Sequence, residues 1–492
     1  MEKEPFEYKE HVKDIQQYQD SSIIEAFSEP DSIQMPLVKS PEELKFLKKL
    51  NWTVLPIVFF IIFIQFCDKS ALSVAAVLGI MEDANLTGDQ FSWLGSIFYL
   101  GYFVVQLPNN YLIQKLPIGK YLGTILFIGG CVMCATAACG NFAQLLGLRF
   151  LLGFFEGVTY PCIYIILNTL YRRSEQAFCF AFTLVGTGMG TVFGVLISYG
   201  LAHLDGAAGL RAWRWGYIVF GAATVIIGIV TFFFLIDDVN SKMLRLTDKE
   251  KEIVEERSRD NCVVRNKEIK REHMVEALKE PRLYLIFFAQ LLNSLQNGGL
   301  ITFSTLLVEG LGFSSFMAII LQIPNGIAAC IFAMAAVFIA SKYKRISFTG
   351  VFMSSISLLG CILMAAIPGP PKLVGFYLSW AMAGVSTILL TLTSNNVSGY
   401  TKKVFYNGTN TLAMTIGNFV GPLMMTANTA PTYWGAMIGF CVSNVLIICC
   451  IYSLFFIMSR ENTRRFAEPP SKKYDVHLDL TDVQDRNIIY KL

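Results

Sequence analysis

Twelve times along this chain an apolar run recurs that is long enough, at about 20 residues, to cross the roughly 30 Å hydrocarbon core of a bilayer as a helix. In hydrocarbon every backbone N–H and C=O must be satisfied within the protein, so runs of this length form helices packed side by side. They lie at about 52–74, 91–113, 119–139, 143–166, 176–201, 214–236, 283–308, 314–340, 347–367, 373–395, 406–427 and 434–458 and are numbered as spans one to twelve. Composition agrees: 54% of the 492 residues are hydrophobic and 16% charged, against about 25% charged in soluble domains. Mean hydropathy is +0.50. The expected fold is an all-α membrane protein with twelve transmembrane helices in two six-helix bundles, its partner the lipid bilayer.

Polar segments divide the chain. Residues 1–50 are polar and acidic on balance and are expected to form a disordered tail. They carry no cleavable targeting pattern, so span one is expected to act as its own insertion signal. Residues 237–282 separate a first bundle at 51–236 from a second at 283–458, and a capping box from Thr247 to Glu250 predicts a helix lying beside the membrane. Residues 459–492 form a second tail. Short loops after spans two, four, eight and ten carry nine Lys and Arg, against three on the opposite side (Arg211, Arg214 and Lys372). Positive charge collects on the cytosolic side, so both termini and the central segment are expected there. The Asn85 tripeptide NLT, a glycosylation acceptor pattern, then falls outside.

Several function classes drop out. A net charge of +3 is too small to argue for nucleic acid, and neither GxxxxGK[ST] nor a GxGxxG between strand and helix occurs, which argues against an ATP-driven pump. The twelve cysteines lie mostly inside spans, including Cys131 and Cys134 as CxxC and the adjacent Cys449 and Cys450, where packing accounts for them. No metal site, cofactor or catalytic triad is expected, and the chain is not read as an enzyme.

Charge inside the spans is sparse. Strong charges sit at Asp68 and Lys69 in span one, and at Arg149 and Glu156 in span four, within LRFLLGFFEGVTYP. Arg149 and Glu156 are seven residues apart, on one helical face and separated by about 10 Å along the axis. That is too far for direct pairing, and an unpaired ionisable group in hydrocarbon costs several kcal/mol. The face makes sense if it lines a central cavity, with Arg149 shared toward Asp68 and Glu156 left free to take up and release a proton. Structural ion pairing is the competing reading. In span seven, Gln290, Asn293 and Asn297 form a polar stripe that serves either substrate contact or helix association.

A weak internal repeat links the halves. QLPN at 106–109 in span two matches QIPN at 322–325 in span eight. Gly186, Gly190 and Gly194 in span five match the GNFVGP of span eleven, with Gly417 and Gly421. These glycines are expected to let spans five and eleven pack closely, as fixed contacts or as part of a gate.

The stretches DKSALSVAAVLGIMEDANLTGDQFSWLGSIFYLGYFVVQLPNNYL, LRFLLGFFEGVTYP, LYRRSEQA, LRAWRWGYIVFG, NNVSGYTKK and GNFVGP resemble the major facilitator superfamily, within it the fungal allantoate permease branch of the anion:cation symporters. The resemblance covers about residues 50–460. It implies two six-helix bundles that rock to expose a midplane site alternately. It further implies that Asp68, Lys69, Arg149 and Glu156 together bind the anion and carry protons; of these Glu156 and Asp68 are expected to couple protons, and Lys69 and Arg149, with Asn293, Asn297 and Asn396, to contact the substrate. Many relatives have arginine in place of Lys69, so a bidentate fork becomes a point charge here. The family's loop motif between spans two and three survives only in degraded form, as NNYLIQKLPIGK. The function so implied is proton-coupled symport of allantoate, ureidosuccinate or another nitrogenous or vitamin-like carboxylate by a monomer in the plasma membrane. The alternatives are a nutrient sensor without net transport and an organelle-membrane exchanger.

Overall fold

The computed structural model describes residues 40–237, 270–367, 369–467 and 480–492. Of the expected tail over residues 1–50, residues 1–39 lie outside the described residues, as do the Thr247–Glu250 capping box and residues 468–479; residues 41–50 are corrected from tail to helix, because they continue span one.

All twelve spans are helical. Spans one to three are Pro41–Val77, Gly88–Lys115 and Ile118–Thr136; span four is Phe142–Glu156 followed by Thr159–Leu170; spans five and six are Arg173–Ala202 and Ala212–Phe234. Helix Arg271–Lys279 precedes span seven, Pro281–Glu309. Span eight is Ser315–Ile320 with Ile323–Tyr343, span nine Ile346–Ala366, span ten Lys372–Ser379 with Met382–Asn396, span eleven Tyr400–Leu423 and span twelve Trp434–Ala467. Spans one and twelve outrun their apolar stretches because the flanking Lys, Glu and Arg favour helix once the chain has left hydrocarbon. Among the described residues nine spans are apolar enough to cross a membrane by composition alone. Spans two, seven and eleven are not among them, and span seven shows why: it buries Gln290, Asn293, Ser294 and Gln296 against protein rather than lipid.

The break in span four has a local cause. Pro161 has no N–H for the carbonyl of Gly157, one turn earlier, so that carbonyl must find another donor. Gln106 of span two supplies it at 3.2 Å, and Gln65 of span one donates to the carbonyl of Glu156 at 3.1 Å. Span ten breaks after Ser379, and that carbonyl receives Gln296 of span seven at 2.9 Å and Ser357 of span nine at 3.1 Å. In both halves, then, an amide on the first helix holds a bent fourth helix.

The repeat glycines pack within their own halves rather than on each other. A Cβ at Gly190 would collide with the Phe63 carbonyl of span one, and one at Gly194 would lie 2.8 Å from Cys67 Cα. Likewise Gly417 and Gly421 abut the carbonyls of Leu291 and Leu295 in span seven. The expected contact of span five with span eleven is corrected to five on one and eleven on seven, because backbones approach this closely only where no side chain intervenes.

Contacts between the halves gather at the end opposite the chain termini. Ser92 donates to the Met425 carbonyl at 2.8 Å and the Ala427 amide to Asp89 at 2.9 Å. Phe91 packs edge-on against Phe303, and Tyr199 and His203 of span five meet Phe316 of span eight. On that same side Arg211 pairs with Glu82 and Asp83, and Arg214 with Asp83, so two of the three basic residues counted there are neutralised.

Candidate functional site

The four charged residues of spans one and four come together in the first half, but not as the ion pairs expected. Asp68, Arg149 and Glu156 are buried, with 3%, 5% and 8% of their surface exposed, whereas Lys69 is half-buried. Arg149 turns to span six and donates to the Tyr217 hydroxyl, its guanidinium carbon lying 5.4 Å from the centre of that ring. Asp68 Oδ2 accepts from Thr224, also of span six, at 3.1 Å. The expected sharing of Arg149 with Asp68 is therefore corrected: each is held by a neutral hydroxyl of span six. Lys69 carries its ammonium 4.7 Å from the Phe66 ring centre and 5.7 Å from that of Tyr160, an aromatic seat that favours a cation.

Glu156 is the last residue of the first segment of span four, and its placement follows from the break. Its main-chain carbonyl is tied down by Gln65, while both carboxylate oxygens are buried without a hydrogen-bond partner among the described residues. Gln65 Oε1 and Asp68 Oδ1 share that condition. Gln65, Asp68, Glu156 and Thr224 line one small cavity between spans one, three, four and six, closed on its other sides by Leu152, Phe155 and Ile125. Four buried acceptor atoms on the residues of one cavity call for donors, and a proton on a carboxyl group is the smallest that serves.

The remaining expectations divide. Asn297 donates to Asn418 of span eleven at 2.8 Å, and Gln290 to Ser294 and Ser386, so these members of the stripe join helices. Asn293 is buried with Oδ1 unpartnered among the described residues and remains available to a ligand. Asn396, expected at the substrate site, is corrected: it ends span ten, accepts from the Lys491 amide at 2.7 Å and donates to the Lys491 carbonyl at 3.0 Å, which uses both faces of its amide. Gln65, Tyr160, Tyr217 and Thr224 had not been picked out. Gln65 lies three residues before Asp68, a spacing that puts it on the same helical face, but the partners on spans four and six are set by tertiary contact alone.

A protein-family model of the Major Facilitator Superfamily matches residues 58–422. The chain belongs to that superfamily. Members of it are multi-pass membrane transporters of small molecules rather than enzymes, and this major facilitator is one. The allantoate permease of Saccharomyces cerevisiae is 32% identical to it, with 92% of this chain and 87% of the permease covered. The thiamine pathway transporter of the same organism is 30% identical, with 91% and 86% covered. A solved bacterial homolog of the human lysosomal transporter Spinster, inward-facing and unoccupied, superposes with a TM-score of 0.66 at 16% identity, over 82% of this chain and 96% of its own. That likeness fits the transporter's two six-helix bundles.

Proposed function

We propose that this transporter is a proton-coupled symporter of a small monocarboxylate, of the nitrogenous or vitamin-like kind that includes allantoate and ureidosuccinate, acting at the plasma membrane with its termini in the cytosol. The observation that carries the reading is the presence, in one half, of a cation seated on aromatic rings at Lys69 and a buried carboxylate at Glu156 that has no hydrogen-bond donor among the described residues. The name of the allantoate permease fits a carboxylate of this class.

Formal charge explains why the two solutes would move together. With both acids ionised and both bases protonated, the four residues sum to zero. Binding one monocarboxylate and one proton, on Lys69 and Glu156, returns the sum to zero. Either ligand alone leaves one net charge in a low-dielectric bundle, which costs several kcal/mol. Only the empty and the doubly loaded carrier therefore pass cheaply through the occluded state, and that is the condition for symport. Asp68, which accepts from Thr224, is the second acid of the site.

The test is uptake of a panel of labelled monocarboxylates in a host lacking its own permeases, with and without an imposed acid-outside gradient. Accumulation above equilibrium for one carboxylate, with proton entry in step, is expected. Exchange that ignores the gradient would sink proton coupling, and uptake confined to neutral or cationic solutes would sink the anion.

A further inference from the structure

We infer that residues 480–492 are a permanently docked brace, which binds the termini-side ends of spans seven, nine, ten, eleven and twelve into one body and which transport requires. By the sequence this segment belongs to a tail. In the structure Thr481 and Asp482 are fully buried and Tyr490 is 4% exposed.

The docking is read at two levels. Three side chains recognise the main chain of the segment in a fixed register. Asn396 of span ten brackets the amide and carbonyl of Lys491; Asn462 of span twelve does the same to Tyr490, at 2.9 Å each way; and Arg465 donates to the carbonyls of Asp482 and Ile488, at 2.9 and 2.5 Å. The main-chain amide of Ile346, at the start of span nine, donates to the Leu492 carbonyl at 2.8 Å. The second level is charge. Asp482 takes Arg282 of span seven at 2.5 Å and Lys402 of span eleven at 2.8 Å, and Tyr490 lies between the guanidinium groups of Arg282 and Arg465, at 4.4 and 4.5 Å from its ring centre. Glu280 and Glu276 complete the cluster by pairing with Lys402, and Glu280 also accepts from the Tyr406 hydroxyl at 2.6 Å.

Asp482 is what ties the segment into this cluster: without it Arg282 keeps Glu280 and Lys402 keeps Glu276 and Glu280, so the charges of spans seven and eleven stay paired while the link to 480–492 is lost. Asp482 is not the group through which a proton would release the segment; the other titratable group facing it is His273, buried beside Thr481 at Gly399. Burial alone would raise the Asp482 pKa, but Arg282 and then Lys402 hold it down at about 2. Because the folded value lies below the unfolded one, the contribution is complete above the ordinary carboxylate range and is lost only as pH falls toward about 2. Asp482 thus keeps its charge, and its two ion pairs, throughout the physiological range. The mechanical role of the brace follows from span eleven, whose far end meets the first half through Met425 and the adjoining Ala427 while its near end is anchored by Lys402. A rocking motion passes from one end of that helix to the other only if the near end is fixed to its own half.

The experiment pairs amide exchange on the intact protein with kinetics of a chain ending at residue 479. In the full chain the Tyr490 and Lys491 amides should exchange at least about 100-fold more slowly than in the free peptide LTDVQDRNIIYKL. The shortened chain should lose about tenfold or more in maximal uptake rate with little change in KM, and the peptide, supplied on the termini side of vesicles, should restore it. Free-peptide exchange rates in the full chain, or an undiminished uptake rate in the shortened one, would overturn the proposal. If the shortened chain does not reach the membrane, Asp482→Asn and Asn396→Ala serve instead. Faster exchange of 480–492 with slowed uptake at unchanged KM supports the brace, and faster exchange with the parent's uptake rate refutes it.

Discussion

The two halves build the same scaffold and fill it with opposite chemistry. Gly190 rests on the Phe63 carbonyl and Gly417 on that of Leu291; five residues beyond those carbonyls stand Asp68 in the first half and Gln296 in the second. Glu156 and Ser379 each end the first segment of a broken helix. Thr224 of span six holds Asp68 as Asn444 of span twelve holds Gln296, at 3.1 and 2.7 Å. In the second half the network closes on itself: Gln296 donates to Ser357 and to the Ser379 carbonyl, and accepts from Asn444. In the first half Gln65 Oε1, Asp68 Oδ1 and both Glu156 oxygens have no partner among the described residues. A saturated neutral network rigidifies, whereas an unsaturated charged one responds to a proton or an anion. Under the proposed function the titrating groups sit on the first half's copy of these positions, where the second half has neutral framework, and the second half's contribution to the ligand is Asn293.

Four experiments bear on that comparison, in descending order of expected effect. Glu156→Gln should abolish uphill accumulation, a loss of about 100-fold or more, while counterflow of labelled substrate in preloaded vesicles persists and loses its pH dependence. Retained accumulation would move the proton to Asp68. Lys69→Gln should weaken apparent substrate affinity by about 10- to 100-fold, the worth of one charge-assisted hydrogen bond, and Lys69→Arg should keep it. Arg149→Gln, by contrast, removes a buried partner of Tyr217 and should lower the melting temperature.

The third compares the two capping glutamines directly. Gln296→Leu leaves the Ser379 carbonyl short of a donor and should cost about 1–3 kcal/mol of stability with the pH profile of uptake unmoved. Gln65→Leu should cost a similar amount and in addition shift that profile, because it loosens the turn that carries Glu156. Matching pH profiles in the two variants would erase the distinction between the halves. The smallest effect is a null one: amide exchange of residues 480–492, corrected for intrinsic rates, should be unchanged between pH 7 and pH 5, since Asp482 is held at about 2. A marked loss of protection at pH 5 would mean that another group governs docking.

By itself the sequence determined the class of molecule. Apolar run length, the charge pattern of the loops and the polar cost of hydrocarbon require a helical bundle of spans, and the rarity of charge within the spans singles out Asp68, Lys69, Arg149 and Glu156, because each such residue must have a reason to be there. Only the tertiary structure decided their partners. Helix rotation about its axis depends on how neighbouring ridges and grooves fit, which no single span encodes, so Arg149 meets Tyr217 instead of Asp68, and the repeat glycines meet spans one and seven instead of each other. The same limit hid the role of Asn396, a polar residue at a helix end whose partner, the main chain of Lys491, lies 95 residues further on. Local sequence can say that an amide needs a partner; only the fold says which distant backbone supplies it.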